Sequence, residues 1–232
     1  MLMLLDGDPA FHIDAGATRI LCAHDPDDVT DVRVLLDSVL FTTALLRGLD
    51  VLHCGAVATD AGAVAIAAAS GGGKSTLTAR LVADGRPLVT ADILALARRP
   101  GAAPLAHPGP PVLTRPAGAP EVGRPIATLD GETWCALETV DRPLPLAGVV
   151  LLDRRPGADL RLTRARSPLI ELMPHLLGFP DRPERARSRF ELAADIAAST
   201  PVWRLVADTA VPPETLAQHI RPALTDSAQL RA

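Results

Sequence analysis

Residues 63–92 constrain this chain more than any other stretch. They read A-V-A-I-A-A-A, then S-G-G-G-K-S-T, then L-T-A-R-L-V-A-D-G, then R-P-L-V-T-A-D. An apolar run, a glycine-rich turn, an amphipathic segment and a second apolar run ending at an aspartate predict strand, turn, helix, strand. Gly71, Gly72 and Gly73 lack Cβ atoms, so the backbone can bring its N–H groups close to an anion. The helix starting at Lys74 aims the positive end of its dipole at the same place. Lys74 adds a point charge, and the Ser75 hydroxyl suits Mg²⁺. Ser70, Gly71, Gly72, Gly73, Lys74, Ser75 and Thr76 together read as the phosphate grip of a nucleoside triphosphate site.

Composition strengthens that reading at one residue. Lys74 is the only lysine in the chain; every other basic side chain except histidine is arginine, and Asn and Tyr are absent. A lone lysine falling in the G-K-S slot by chance is improbable. Arginine would serve poorly there, because its planar fork is broader than the compact ammonium. The usual pattern, G-x-x-x-x-G-K-[ST], has glycine where this chain has Ala68. That departure is mild provided Ala68 keeps a negative φ. The motif alone does not separate a kinase from an ATPase or a GTPase.

The remaining composition excludes other classes. With 232 residues, 48% of them hydrophobic, the chain can build one large domain, or a domain with an appendage, without disulfides. A net charge of −4 lacks the basic footprint of a nucleic-acid binder. Cys22, Cys54 and Cys135 are odd in number and widely spaced, so they read as buried small hydrophobes. The opening M-L-M-L-L-D-G-D has neither the length nor the basic flank of a signal peptide. No apolar run approaches the ~20 residues of a membrane span. The expectation is a cytoplasmic protein with no membrane and no nucleic-acid partner.

Taken in order, residues 1–25 read as short peripheral strands, with His12 and His24 as ordinary histidines. Asp27, Asp28 and Asp31 precede helically spaced apolar residues that end at Arg47 and Gly48, the start and stop signals of one helix. V-L-H-C-G-A-V-A (51–58) reads as a strand that forms a hairpin with 63–69 across T-D-A-G. His53, taken alone, reads as a hydrogen-bonded core histidine. The helix from Lys74 stops at Asp84-Gly85, and residues 87–90 form a strand leading to Asp92. An aspartate there can reach Mg²⁺ or an attacking hydroxyl; it can equally be a turn residue. Residues 99–125 are rich in Pro and Gly and fit no regular element beyond a short edge at Val112 and Leu113. Two strands joined by D-G-E follow at 125–129 and 133–140, then a buried strand at 145–153 and an alternating run at 159–163. Ser167-Pro168 caps a helix kinked at Pro174. A helix at 190–198, a strand at 201–207, a helix at 212–220 and a frayed tail from Asp226 complete the reading.

The wider pattern L-H-C-G-A-V, S-G-G-G-K-S-T-L and D-G-R-P-L-V-T-A-D resembles the catalytic domain of HPr kinase/phosphorylase. The resemblance covers residues 49–97 and extends through P-G-P-P-V-L, P-L-A-G-V-V-L-L-D and S-P-L-I-E-L-M-P-H-L-L to about residue 207. Within the family it looks like the small stand-alone kinases. Some of those accompany ribosomally made, modified peptides, lasso peptides included, and phosphorylate a peptide hydroxyl.

The resemblance implies an α/β fold: a single P-loop-containing domain with a mixed sheet, of the HPr kinase/PEP carboxykinase type. Residues 1–48 would be an N-terminal extension, 49–225 the catalytic domain and 226–232 a tail. It implies ATP and Mg²⁺ as cofactors. Lys74 would contact the β- and γ-phosphates, Ser75 and Asp92 would serve the metal, and Asp92 would take the proton from the substrate hydroxyl. His53 matches the active-site histidine preceding the P-loop. Arg166, by its place before the helix at Ser167, corresponds to the basic residue of the reverse reaction. Two positions depart. Ala91 replaces the first acid of the family's pair, and the metal-binding glutamate has no clear counterpart, Glu121 and Glu138 being the candidates. These losses count against phosphorylase activity more than against kinase activity. Residues 1–48 are too few for the family's N-terminal domain, so regulation through one is not expected. The expected partner is a peptide or protein with a Ser or Thr hydroxyl. The alternatives are a nucleotide-binding module with weak catalysis and a kinase of a small-molecule hydroxyl. The family forms oligomers, so a homo-oligomer is compatible with this chain.

Overall fold

The computed structural model describes residues 1–5, 8–23, 29–178 and 183–225. The tail expected from Asp226, and His24, Asp27 and Asp28, lie outside the described residues. Three short antiparallel strands open the chain as expected: β1 (Leu2–Leu5), β2 (Asp8–Ile13) and β3 (Ile20–Cys22). Ala10, Phe11 and Ile13 pack on Val39 of the helical stretch that follows. That stretch is α1 (Val29–Val34), a π-helical turn (Leu35–Val39) and α2 (Leu40–Leu46). The single expected helix is thus present with one widened turn. Gly48, at φ 78°, ends it. Its N–H bonds to Leu45 O and that of Leu49 to Ala44 O, the left-handed glycine stop the sequence signals.

The expected strand over 51–58 is two strands, β4 (Asp50–His53) and β5 (Gly55–Thr59). The ladder breaks at Cys54, whose N–H bonds to Asp92 O at 2.9 Å. Gly55 leaves room for a close neighbour: a Cβ there would stand 2.2 Å from Thr78 Oγ1. Then come β6 (Gly62–Ala68), α3 (Lys74–Ala83) and β7 (Leu88–Thr90), each close to its expected bounds. Two strands not expected from the sequence follow, β8 (Ile93–Arg99) and β9 (Ala102–Ala106). Pro104 and a run of alanines give β9 little strand propensity. Pairing with β8 across a turn at Gly101 (φ 71°), and with the later strand Leu144–Arg154, supplies what propensity does not.

β10 (Val112–Arg115), β11 (Arg124–Leu129) and β12 (Glu132–Ala136) make a separate three-stranded sheet. Asp130 (φ 52°) and Gly131 (φ 78°) form its two-residue hairpin turn, with both central residues left-handed as that turn demands. The remaining elements are β13 (Leu144–Arg154), β14 (Arg161–Arg164), α4 (Pro168–Leu172), β15 (Leu176–Leu177), α5 (Pro183–Ser199), β16 (Val202–Ala207), α6 (Pro213–His219) and α7 (Arg221–Thr225). Pro174 ends its helix rather than kinking it. Lacking an N–H, it sits in a 3₁₀ turn (Met173–His175), after which the chain extends to pair with β4.

The main sheet has ten strands in the order β15-β4-β8-β9-β13-β6-β5-β7, with β16 branching from β13 and β14 pairing with β16. β13 runs parallel to β6 and β16, and the other strand pairs are antiparallel. The fold is therefore α/β with a mixed sheet. Alternation along β6 sets the layers. Ala63, Ala65 and Ala67 face the core that includes Leu192, Ala193 and Ile196 of α5. Val64, Ile66 and Ala68 face Leu77 and Leu81 of α3 together with Leu216, Ala217 and Ile220. The glycine turn thus springs from a strand buried on both faces, and each fully buried Leu or Ile beneath it is worth about 1.5–3 kcal/mol. Among the described residues no helix is long and apolar enough to cross a membrane.

Candidate active site

β6 ends at Ala68, which does not take a positive φ. Alanine is thus tolerated where the usual pattern has glycine. Gly71 (φ 72°) and Gly73 (φ 90°) are left-handed, a conformation costing roughly 1–2 kcal/mol for residues with a Cβ. At Gly72 the constraint is space: a Cβ would lie 2.9 Å from Ala69 O and 3.0 Å from Ala68 Cβ. The first helical bond of α3 runs from Leu77 N–H to Gly73 O at 2.9 Å. The first-turn amides before Leu77 have no intrahelical acceptor, as at any helix start.

One strand pairing and one side-chain hydrogen bond bring His53 and Asp92 to this turn. β4 and β8 pair with His53 opposite Ile93, which sets His53 beside Asp92 in the β7–β8 turn. Thr90 Oγ1 donates to Ile93 O at 2.8 Å and closes that turn. Lys74, only 8% exposed, forms an ion pair through Nζ with Asp92 Oδ1. His53 Nε2 lies 3.1 Å from the same oxygen. Burial lowers the His53 pKa from its ordinary value, and the Lys74 charge lowers it further. A neutral His53 makes this bond as the Nε2–H tautomer, since an ionised carboxylate only accepts. Burial also lowers Lys74, against the opposing fields of Cys54, Asp37 and Glu132.

These groups share a cavity of about 500 Å³. One wall is the turn, residues 69–76, with Ala91, Asp92 and His53. The other wall comes from remote segments: Arg33, Leu36 and Asp37 of the N-terminal helical stretch, and Glu132 and Trp134 of β12. Arg33 Nη1 donates to Asp130 at 2.6 Å, and its Nε lies 3.8 Å from Asp37. Burial raises the Asp37 carboxyl, with Arg33 and Lys74 opposing.

Of the residues expected at the site, Ser70 to Thr76, His53 and Asp92 all line this cavity. Arg166 does not; it is exposed after β14. Neither Glu121 nor Glu138 lines it, whereas Glu132 does. Glu132 carried a usable signal, standing directly after the D-G turn whose geometry fixes its direction. Arg33 and Asp37 carried none, because their helix reads as an ordinary amphipathic segment. Among the described residues no three His, Cys, Asp or Glu side chains gather as a metal cage.

No protein-family model matches the sequence, and no curated protein matches it. Among solved structures, the HPr(Ser) kinase/phosphatase from Coxiella burnetii aligns over 74% of this chain and 93% of its own, at 13% identity and a TM-score of 0.36. A superposition that loose assigns no role to any residue.

Proposed function

We propose that this chain is an ATP-dependent kinase that phosphorylates a Ser or Thr hydroxyl of a peptide or protein. The observation that carries this reading is the convergence of Lys74 and His53 on one oxygen of Asp92, beside a glycine turn that opens a helix. The turn fits polyphosphate, since its left-handed glycines bend the backbone around the start of a helix whose first-turn amides have no intrahelical acceptor. The donors Ser75 and Asp92 fit Mg²⁺, which commonly rests on one or two carboxylates plus substrate phosphates instead of an all-protein cage. Bound Mg-ATP supplies the transferable phosphoryl group and neutralises its charge.

The chain's own residues supply the rest. Lys74 turns from Asp92 to the phosphates. Asp92, its side chain 42% exposed, accepts the proton of the incoming hydroxyl. Neutral His53 donates to Asp92 and holds its orientation. The acceptor we favour is the precursor of a ribosomally made, lasso-type peptide, on the strength of the sequence resemblance.

Incubation with labelled ATP and a Ser-containing precursor peptide tests the reading. Label should enter the peptide with the native chain and not with Lys74→Ala. Label on free serine or a sugar alone would transfer the reading to a small-molecule kinase. Nucleotide binding without any transfer would reduce it to a binding module.

A further inference from the structure

The cavity lined by the glycine turn holds a cation, on the wall built from remote segments, that the reaction outlined above leaves unused. Arg33, Leu36 and Asp37 are spaced i, i+3 and i+4, so one face of the N-terminal helical stretch presents all three to the cavity. The π-helical turn Leu35–Val39 falls within this face, and such widened turns concentrate at functional sites. Among the described residues lining the cavity, Lys74 and Arg33 are the lysine and arginine, one on each wall; the carboxylates are Asp37, Asp92 and Glu132. Two such cations therefore face three acids before any ligand arrives. A triphosphate adds further negative charge, so its binding gains from every cation that can turn toward it.

Arg33 can turn. Its partner at 2.6 Å, Asp130, lies on the exposed hairpin turn outside the cavity lining, and the two side chains are 42% and 71% exposed. Exposed pairs of this kind are weak and easily exchanged. The guanidinium fork matches phosphate oxygens in a bidentate way, so the exchange favours phosphate.

We propose that Arg33 is a second phosphate-binding cation, brought by the N-terminal helix to the terminal phosphate of the bound nucleoside triphosphate. The assignment rests on the nucleotide site of the kinase reading and adds to it a means of preferring triphosphate over diphosphate.

Calorimetric titration of the full chain with Mg-ATP and with Mg-ADP tests it. Arg33→Ala should weaken ATP by about tenfold or more, the scale of a charged hydrogen bond, while ADP changes less than about threefold. Arg33→Lys should recover part of the loss. Asp130→Asn, which removes the surface partner, should leave ATP at least as tight as in the native chain. The assignment is overturned if Arg33→Ala weakens both nucleotides equally or neither, or if Asp130→Asn loses as much as Arg33→Ala. Native binding that Lys74→Ala abolishes and Arg33→Ala spares would sink Arg33 alone. A native chain that binds neither nucleotide would sink the nucleotide site together with it.

Discussion

The two walls of the cavity are built in opposite ways. The glycine-turn wall is contiguous in sequence, rooted in a strand buried on both faces, and made largely of backbone. The other wall is assembled from residues 33–37, 110–116 and 132–134, and its Arg33 and Asp37 are held by partly exposed ion pairs. The strand under the first wall is fixed by burial on both faces, while the turn above it leaves Ser70 and Gly71 exposed. The second can exchange partners at small cost. Under the reading proposed above, the contiguous wall carries the general phosphate grip and the assembled wall adds the cation that tells triphosphate from diphosphate.

Substitutions should separate the walls. Lys74→Ala should have the largest effect, abolishing nucleotide turnover in a phosphate-release assay, because no other side chain on that wall carries a permanent positive charge. Asp92→Asn should cost about 10²–10⁴ in phosphoryl transfer, the usual range for a general base, with nucleotide affinity retained on titration. Full activity in that variant would remove the proton-accepting role.

Gly55→Ala tests rigidity beneath the turn. The new Cβ would meet Thr78 Oγ1, which itself donates to Lys74 O at 2.9 Å. Urea denaturation should show a loss of about 1–3 kcal/mol, the scale of overpacking in a core. A neutral result would show that α3 can give way.

The pH dependence should follow the two half-buried histidines His53 and His175. Burial lowers both His53 and His175 from the ordinary 6.5. A histidine whose folded value is lowered binds more protons unfolded, so stability is full above about pH 6.5 and declines as pH falls below it. His53→Gln should flatten part of that decline in melts between pH 7 and pH 5. On the other wall, Arg33→Ala should change stability by less than about 1 kcal/mol, as expected for an exposed pair.

Some of this was legible in the residues and some was not, for identifiable reasons. Gly48 and Gly85 announced helix ends because a left-handed stop is a local event. The D-G turn at 130–131 announced its hairpin in the same way. β9 was illegible because its alanines and Pro104 have no strand preference of their own, and its neighbours impose the conformation. The break at Cys54 was hidden because V-L-H-C-G-A-V-A reads as one unbroken strand-like run. What divides it is a backbone bond to Asp92, distant in sequence.

The sequence by itself determined the glycine turn: three glycines, a lone lysine and a helix start encode their geometry within a few residues, through φ/ψ limits and the amides of a helix start. Tertiary structure alone decided the rest of the site. It set His53 beside Asp92 through the β4–β8 register and placed Arg33, Asp37 and Glu132 in the same cavity. Those positions depend on contacts between segments far apart in the chain, which no local preference of the residues can specify.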